Sequence, residues 1–319
     1  MVLPLAALLG ALALGAGPPK PAAGGAGLDH YLFDIATPIG QARSTWAALA
    51  YDRGHDELFA VYANQVHVFN AAAMESYAFG GDGDLGLVQR VALLEDGGMV
   101  LLSSVEGRPA LLKADFRGER QGELKLSGLP ATFAGFLPDK VVAQGGKLHL
   151  VQSGQMRVVV TNLDGKVEQA IDLAKLVLAE SGGMQVGLSG FTVDDEGRYL
   201  FTMPLSFVAF VMTPQQELRK FGSRGSVPGK FNVAGAIACD EHGSVFVLDR
   251  LRAVVMIWNA DLHFVREFGY RGDGPDNLIA PYDLAVGNGK VFVSQAGDRG
   301  VKVFQYQPVK DRGDGGGSD

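Results

Sequence analysis

Short apolar runs alternate with polar turn signals along most of this chain. Residues 236–239 are apolar, residues 240–243 read Asp-Glu-His-Gly, and residues 245–249 form a second apolar run, Val-Phe-Val-Leu-Asp. Runs of this length bounded by Asp, Asn and Gly are typical of β-strands joined by tight turns. The 44 glycines and 14 prolines fit many such turns and leave little room for long helices.

The same order of strands and turns repeats six times. Each copy contains an apolar strand, a turn with Asp or Gly, a second apolar strand and, after a gap, further strand sequence, so that each copy predicts four short strands. The copies begin near Ala48, Val91, Val141, Phe191, Ala236 and Leu284. A repeat of roughly 40–50 residues is typical of the blades of a propeller.

Six such copies predict an all-β fold, a six-bladed β-propeller of four-stranded antiparallel blades. A single sheet with two apolar faces cannot bury both of them, so neighbouring copies must pack face to face around a ring. The last copy ends at residues 301–306, one strand short, whereas residues 28–40 precede the first copy without a partner. We therefore expect the N-terminal segment to supply the missing outer strand and to close the ring, which removes an open edge.

The two ends of the chain differ from the repeats. Residues 1–17 are predicted to be a signal peptide, because residues 2–17 are apolar and uncharged and Ala11-Leu12-Ala13 offers an A-x-A-like cleavage site. Residues 18–27 form a Pro/Gly/Ala linker, residues 28–307 a single propeller domain, and residues 308–319 a polar tail that we expect to be disordered.

The apolar run is shorter than the roughly 20 residues that span a bilayer. The mature protein is accordingly expected to have no membrane span and to be exported, in the periplasm or outside the cell. The alternative is a cytoplasmic protein with a disordered head.

The charge and the cysteine content argue against nucleic-acid binding and against an intramolecular disulfide. The net charge is −7, and no run of Lys and Arg interleaved with aromatic residues occurs, so nucleic acid is not an expected partner. Cys239 is the single cysteine, which excludes an intramolecular disulfide, and its apolar surroundings in the sequence indicate a small buried side chain.

Two segments carry a resemblance to a known family. PYDLAVGNGKVFVSQAGDRGVKVF and AGAIACDEHGSVFVLDRLRAVVMIW resemble NHL repeats, which run Pro-x-Gly-apolar-Ala-Val-Asp, then Val-Tyr-Val-Ala-Asp after a Gly, then Arg before a Val-x-Val-Phe strand. The resemblance is close in the last three copies and loose in the first three. It implies a six-bladed propeller of a bacterial exported type. Functions in this group range from protein and RNA binding to lyase or lactonase-like catalysis, so the resemblance implies the fold more strongly than the function.

Residues just before each innermost strand of a propeller line its central channel, so aligning the six openings gives candidate binding residues. The openings are residues 45–47, 88–90, 138–140, 188–190, 233–235 and 281–283. They supply a mixed polar and aromatic set that we predict to bind a ligand at the channel mouth: Trp46, Gln89, Arg90, Asp139, Lys140, Ser189, Tyr282 and Asp283.

Two functions remain open at this point. The first is a non-catalytic binding or scaffold propeller, expected to be a monomer, which presents one face to a protein or glycan partner. The alternative is a metal-dependent hydrolase or lyase like the gluconolactonase-type propellers, with Asp139 and Asp283 among the oxygen ligands. The two carboxylates are balanced by Arg90 and Lys140, the six histidines are scattered, and neither a G-x-S-x-G nor a P-loop motif occurs. We therefore predict no catalytic residue, metal or cofactor and favour binding.

Overall fold

The computed structural model describes residues 29–35, 46–81, 83–181, 187–296 and 299–308, except for the side chains of residues 180 and 181. In this part of the chain, 24 strands form six four-stranded antiparallel sheets. The predicted fold class, a six-bladed β-propeller, is therefore confirmed.

The first three blades follow one another along the chain, each with its first strand innermost. After the N-terminal strand β1 (Asp29–Ile35), blade 1 contains β2 (Ala48–Asp52), β3 (Glu57–Tyr62), β4 (Gln65–Phe69) and β5 (Glu75–Phe79). Blade 2 contains β6 (Leu87–Leu93), β7 (Met99–Val105), β8 (Arg108–Ala114) and β9 (Arg120–Glu123). Blade 3 contains β10 (Lys140–Gln144), β11 (Lys147–Gln152), β12 (Arg157–Asn162) and β13 (Val167–Asp172).

The last three blades keep this order until the ring closes. Blade 4 contains β14 (Phe191–Val193), β15 (Tyr199–Thr202), β16 (Ala209–Met212) and β17 (Leu218–Phe221). Blade 5 contains β18 (Ala234–Cys239), β19 (Val245–Asp249), β20 (Val254–Trp258) and β21 (Phe264–Gly269). Blade 6 contains β22 (Pro281–Gly287), β23 (Lys290–Gln295), β24 (Val301–Tyr306) and, as its outermost strand, β1 (Asp29–Ile35).

The N-terminal strand closes the ring, as the unpaired segment predicts. β1 pairs antiparallel with β24 from Asp29 opposite Tyr306 to Ile35 opposite Val301. The Asp29 carboxylate also accepts two hydrogen bonds from the Arg266 guanidinium of blade 5, at 2.5 and 2.9 Å. The N-terminal strand is thus tied both to its own blade and to the preceding one.

The core lies between the blades, because each sheet presents apolar side chains to both neighbours. Between blades 4 and 5, the fully buried Trp258 contacts the rings of Phe221, Phe231 and Phe264 at 5.1, 5.1 and 5.7 Å between centroids. The opposite face of blade 5 packs on blade 6 through Phe246, whose ring lies 4.9 Å from that of Tyr306. The alternating apolar runs of the sequence supply both of these faces.

Among the described residues, one α-helix, α1 (Leu173–Ser181), follows β13 in the connection from blade 3 to blade 4. The turn-rich sequence pattern did not predict it. Leu173, Ala174 and Val177 are spaced so that they lie on one face of the helix. All three are buried, and they pack α1 against the sheets. In the residues that the structure describes, no helix is long and apolar enough to cross a membrane.

Strand direction separates the ring into two faces. All inner strands run the same way, so the blade-to-blade connections and the loops between second and third strands lie on one side, which we call the crossover face. The turns between first and second strands and between third and fourth strands lie on the other side, the hairpin face. The first residue of every inner strand is therefore at the crossover face.

Candidate functional site

The six inner strands surround a channel with a cavity of about 760 Å³. Each inner strand pairs with only one strand of its blade, so its second backbone edge faces the channel with N–H and C=O groups that the ladder does not use. Channel walls of this kind are polar even where the flanking side chains are aliphatic. The two mouths of the channel differ in the side chains that they add.

Four charged side chains meet at the crossover-face mouth: Arg90, Lys140, Arg250 and Asp283. All four line the channel, and we call them the cationic cluster because three of them are cations. Asp283 is held in place by three hydrogen bonds. Its Oδ2 accepts from Arg90 Nη1 at 3.2 Å and from the backbone N–H of Leu49 at 3.1 Å, and its Oδ1 accepts from the N–H of Leu284 at 3.0 Å.

The other two cations have no carboxylate partner within 4 Å among the described residues. Burial lowers the pKa of Lys140 below its usual range, and the nearby Arg90 guanidinium lowers it further, whereas Asp283 and Asp139 act in the opposite direction. The Nε of Arg250 is buried and has no hydrogen-bond partner in the described structure, and its Nη2 makes one long hydrogen bond, 3.4 Å, to the carbonyl of Tyr282. The cluster therefore carries more positive charge than its protein partners neutralise.

An aromatic pair stands beside the cluster. The Trp46 and Tyr282 rings are stacked with centroids 4.5 Å apart and planes 16° from parallel. The Arg250 guanidinium carbon lies 4.2 Å from the centroid of the Tyr282 ring. Since Trp46 covers one face of that ring at stacking distance, we infer that Arg250 covers the other. Trp46 is 44% exposed, so its indole forms part of the accessible rim of the mouth.

Comparisons with known proteins support the fold and leave the chemistry open. No protein-family model matches the chain. A stretch of 87 residues, 27% of this chain, is 32% identical to the E3 ubiquitin-protein ligase NHLRC1 of Homo sapiens and covers only 21% of that protein. This partial match supports the relation to NHL-repeat propellers that the last blades indicate.

Solved structures share the architecture over most of the chain. A catalytically inactive virginiamycin B lyase from Staphylococcus aureus, solved with quinupristin, superposes with a TM-score of 0.55 at 10% identity, covering 84% of this chain and 82% of the lyase. A protein of unknown function from Bacteroides thetaiotaomicron gives a TM-score of 0.60 at 14% identity, covering 86% and 73%. A chain of a nidogen/laminin complex gives 0.52 at 14% identity, covering 76% and 84%. At these identities the similarity concerns the fold alone.

The structure brings together most of the residues predicted from the aligned openings. Arg90, Lys140, Ser189, Tyr282 and Asp283 line the channel, and Trp46 joins them by stacking on Tyr282. The remaining two predicted residues do not line the cavity. Gln89 is exposed on β6. Asp139 is exposed and accepts hydrogen bonds from the backbone N–H and the hydroxyl of Ser153, at 3.0 and 2.5 Å.

Arg250 belongs to the site but is absent from the residues predicted for it. It follows β19, the second strand of blade 5, and the aligned openings include only residues that precede first strands. The alternating direction of neighbouring strands could have indicated Arg250, because a second strand ends on the side of the ring where a first strand begins. The backbone around Arg250 is fixed by buried Asp249, which accepts hydrogen bonds from the N–H groups of Leu251 and Arg252 at 3.0 and 2.9 Å.

Gly235 makes room for the Arg250 side chain. A Cβ atom at Gly235 would lie 2.9 Å from Arg250 Cγ and 3.0 Å from its Nε. These separations are shorter than ordinary van der Waals contact. A larger residue at this opening would therefore displace the guanidinium from the mouth.

The hairpin-face mouth has a different charge pattern. Its turns carry Asp52, Glu95, Asp96 and Asp195, and its arginine, Arg53, is already near two carboxylates, 3.5 Å from Asp195 and 3.9 Å from Glu241. Among the described residues, no group of three or more His, Cys, Asp or Glu is placed to hold a metal ion. Asp139 and Asp283, the carboxylates considered as metal ligands, each accept a hydrogen bond from a protein side chain, Ser153 and Arg90 respectively.

Proposed function

We propose that this protein is a non-catalytic binding propeller of the cell envelope or the extracellular space, which presents its crossover face to a protein partner. The observation that carries the proposal is the distribution of exposed apolar side chains. Among the described residues, the large exposed hydrophobic side chains on the crossover face are Trp46, Leu87, Leu137, Leu178, Leu205, Val227 and Leu251. Those elsewhere are Met74, Phe116 and Val265.

Single exposed apolar residues are normal on any protein surface and need no explanation. Their concentration on one face, around a mouth that contains an aromatic pair and several cations, is typical of an interface. Aromatic and arginine side chains at the centre of such a surface contribute most of the binding energy when a partner excludes water from them. The crossover face combines these features.

The chemistry of the mouth supports binding rather than turnover. The Asp283 carboxylate is engaged with Arg90 and two backbone N–H groups, so it is poorly placed to act as a base. Arg90, Lys140 and Arg250 provide positive charge, which recognises an anion. The apolar segment at residues 2–17 supports the proposed export.

Polar substitutions on the two faces test this function with matched variants. The doubly substituted Leu205→Ser/Leu251→Ser protein changes the crossover face, and Met74→Ser/Phe116→Ser changes residues of similar exposure on the hairpin face. Immobilised proteins are exposed to extract from the native cells, and bound proteins are quantified. We expect one or more partners to be recovered by the wild type and by the hairpin-face variant. The crossover-face variant should recover at least about tenfold less, since each leucine that becomes buried in the complex contributes roughly 1.5–3 kcal/mol.

Equal recovery of the same proteins by all three forms would contradict the proposal. Melting temperatures of the variants within a few degrees of the wild type would show that any loss of binding reflects the surface and not the fold.

A further inference from the structure

We propose that the cationic cluster is a receptor for a carboxylate group, which enters the crossover-face mouth and binds between Lys140 and Arg250. The inference stands on the mouth itself and does not require the apolar surface around it to bind a protein. The same chemistry is offered by a free organic acid and by an acidic side chain or a C-terminus of a partner, and the experiment below separates these sources.

Two of the three cations at the mouth lack a counter-ion in the described structure. Arg90 is paired with Asp283 at 3.2 Å, whereas Lys140 and Arg250 both lack a carboxylate within 4 Å in the described structure. A partly buried cation without a counter-ion is unfavourable for folding, because burial removes its hydration. Such groups are typical of sites whose counter-ion arrives with a ligand.

Arg250 is fixed in position, but the hydrogen-bond donors of its guanidinium are only partly used. Its guanidinium lies over the Tyr282 ring at 4.2 Å, and Asp249 fixes the backbone that carries it. Its Nε is buried with no acceptor among the described residues, so this N–H is closed to a ligand in this arrangement. Its Nη2 makes one long hydrogen bond, 3.4 Å, to the Tyr282 carbonyl. The Nη groups can therefore donate N–H bonds to the two oxygens of a carboxylate at the mouth.

The mouth is better suited to an organic acid than to a bare inorganic anion. Asp283 lies within the same cluster, 3.2 Å from Arg90, so a bound anion must gain hydrogen bonds as well as charge attraction to overcome its repulsion. The polar backbone edges of the inner strands below the mouth can hydrogen-bond to the remainder of a small hydrophilic acid.

Titration of the purified protein with defined probes tests the receptor. The probes are acetate, glucuronate, N-acetylglutamate α-amide as a mimic of an acidic side chain, and N-acetylleucine as a mimic of a C-terminus, with acetamide as the uncharged control and phosphate as the competing anion. Total ionic strength is held constant. Binding is measured by calorimetry and by tryptophan fluorescence, since Trp46 stands at the mouth whereas Trp258 is fully buried.

We expect at least one carboxylate to bind saturably and acetamide not to bind. Lys140→Met and Arg250→Met are each expected to weaken the binding of that carboxylate at least about tenfold, because each substitution removes a charged hydrogen-bond donor. Gly235→Ala is expected to weaken carboxylate binding although it keeps every charge, because the added Cβ displaces the Arg250 side chain. Arg53→Met, at the other mouth, is expected to change the affinity less than twofold.

The melting temperature distinguishes a receptor residue from a structural one. Lys140→Met removes a partly buried ammonium with no carboxylate partner among the described residues, so its melting temperature should equal or exceed that of the wild type. A lower melting temperature together with unchanged carboxylate affinity would show that Lys140 supports the fold and would overturn its assignment.

The remaining outcomes decide the ligand class and its source. Tightest binding of acetate or glucuronate supports a free acid, and tightest binding of either amino-acid mimic supports a group on a protein partner. Absence of saturable binding by every carboxylate, or tighter binding of phosphate than of every carboxylate, would overturn the proposal. These outcomes are independent of whether the surface variants lose a partner.

Discussion

Removal of β1 is expected to lower the free energy of unfolding by about 5 kcal/mol and to open the ring. A chain that starts at Ala36 lacks the whole strand, whereas a chain that starts at Leu28 keeps it and serves as the control. The loss includes the ladder between β1 and β24 and the burial of Ile35, offset in part by the conformational entropy of about seven residues.

The missing strand also breaks contacts between blades. Arg266 of blade 5 would lose the Asp29 carboxylate, and Lys302 of β24 would lose the Tyr31 ring, which lies 5.2 Å from its Nζ. β24 would become an exposed edge that is prone to pair with another chain. Urea unfolding of both chains measures the difference. An equal free energy of unfolding for the two chains would show that the ring does not need its N-terminal strand.

Replacement of Glu267 by Gln is expected to lower the free energy of unfolding by about 3 kcal/mol. Glu267 forms a bidentate ion pair with Arg252, and these side chains are only 2% and 10% exposed. Removal of one charge leaves the other buried without a counter-ion, which is the costly way to break such a pair. Urea unfolding again provides the measurement.

A matched variant separates the ion pair from other effects of the substitution. In the Arg252→Met/Glu267→Met protein both charges are absent, and we expect its stability to lie close to that of the wild type, because well-packed apolar residues can replace a buried pair. Equal destabilisation by the single and double substitutions would contradict this explanation. Arg252 also donates to the Lys230 carbonyl at 3.0 Å and anchors the loop that carries Arg250. The double substitution removes this anchor and should therefore weaken carboxylate binding, whereas the single substitution keeps it.

The repeated apolar runs and turn signals were sufficient to predict the fold. Apolar residues in short runs cover both faces of each sheet, and six copies must then close a ring. The incomplete last copy predicted the closing strand, and β1 pairs with β24 as expected. The α1 helix was not predicted, because residues 173–181 form a single short connection that does not recur in the repeats, and their periodicity is too brief to separate from strand sequence.

The site could be predicted only in part. Alignment of the strand openings found Arg90, Lys140 and Tyr282, because strand geometry places openings at the mouth. It also selected Gln89, which lies at the β-bulge between Val88 and Arg90, and Asp139, which precedes β10 and is hydrogen-bonded to Ser153. Neither local feature can be read from a sequence pattern. Arg250 could have been found by extending the alignment to the ends of second strands, which lie at the same mouth. The space for its side chain at Gly235, in contrast, is visible only in the structure.

Site-specific photo-cross-linking shows which face of the ring binds the partner. A photoreactive amino acid is placed at Val227 or Leu251 on the crossover face and at Met74 or Phe116 on the hairpin face, and the protein is irradiated in its native cells. We expect a covalent adduct with the same partner from both crossover-face positions and none from the hairpin-face positions. Adducts formed only from the hairpin face would contradict this expectation, because the binding surface would then lie on the opposite side of the ring from the cationic cluster.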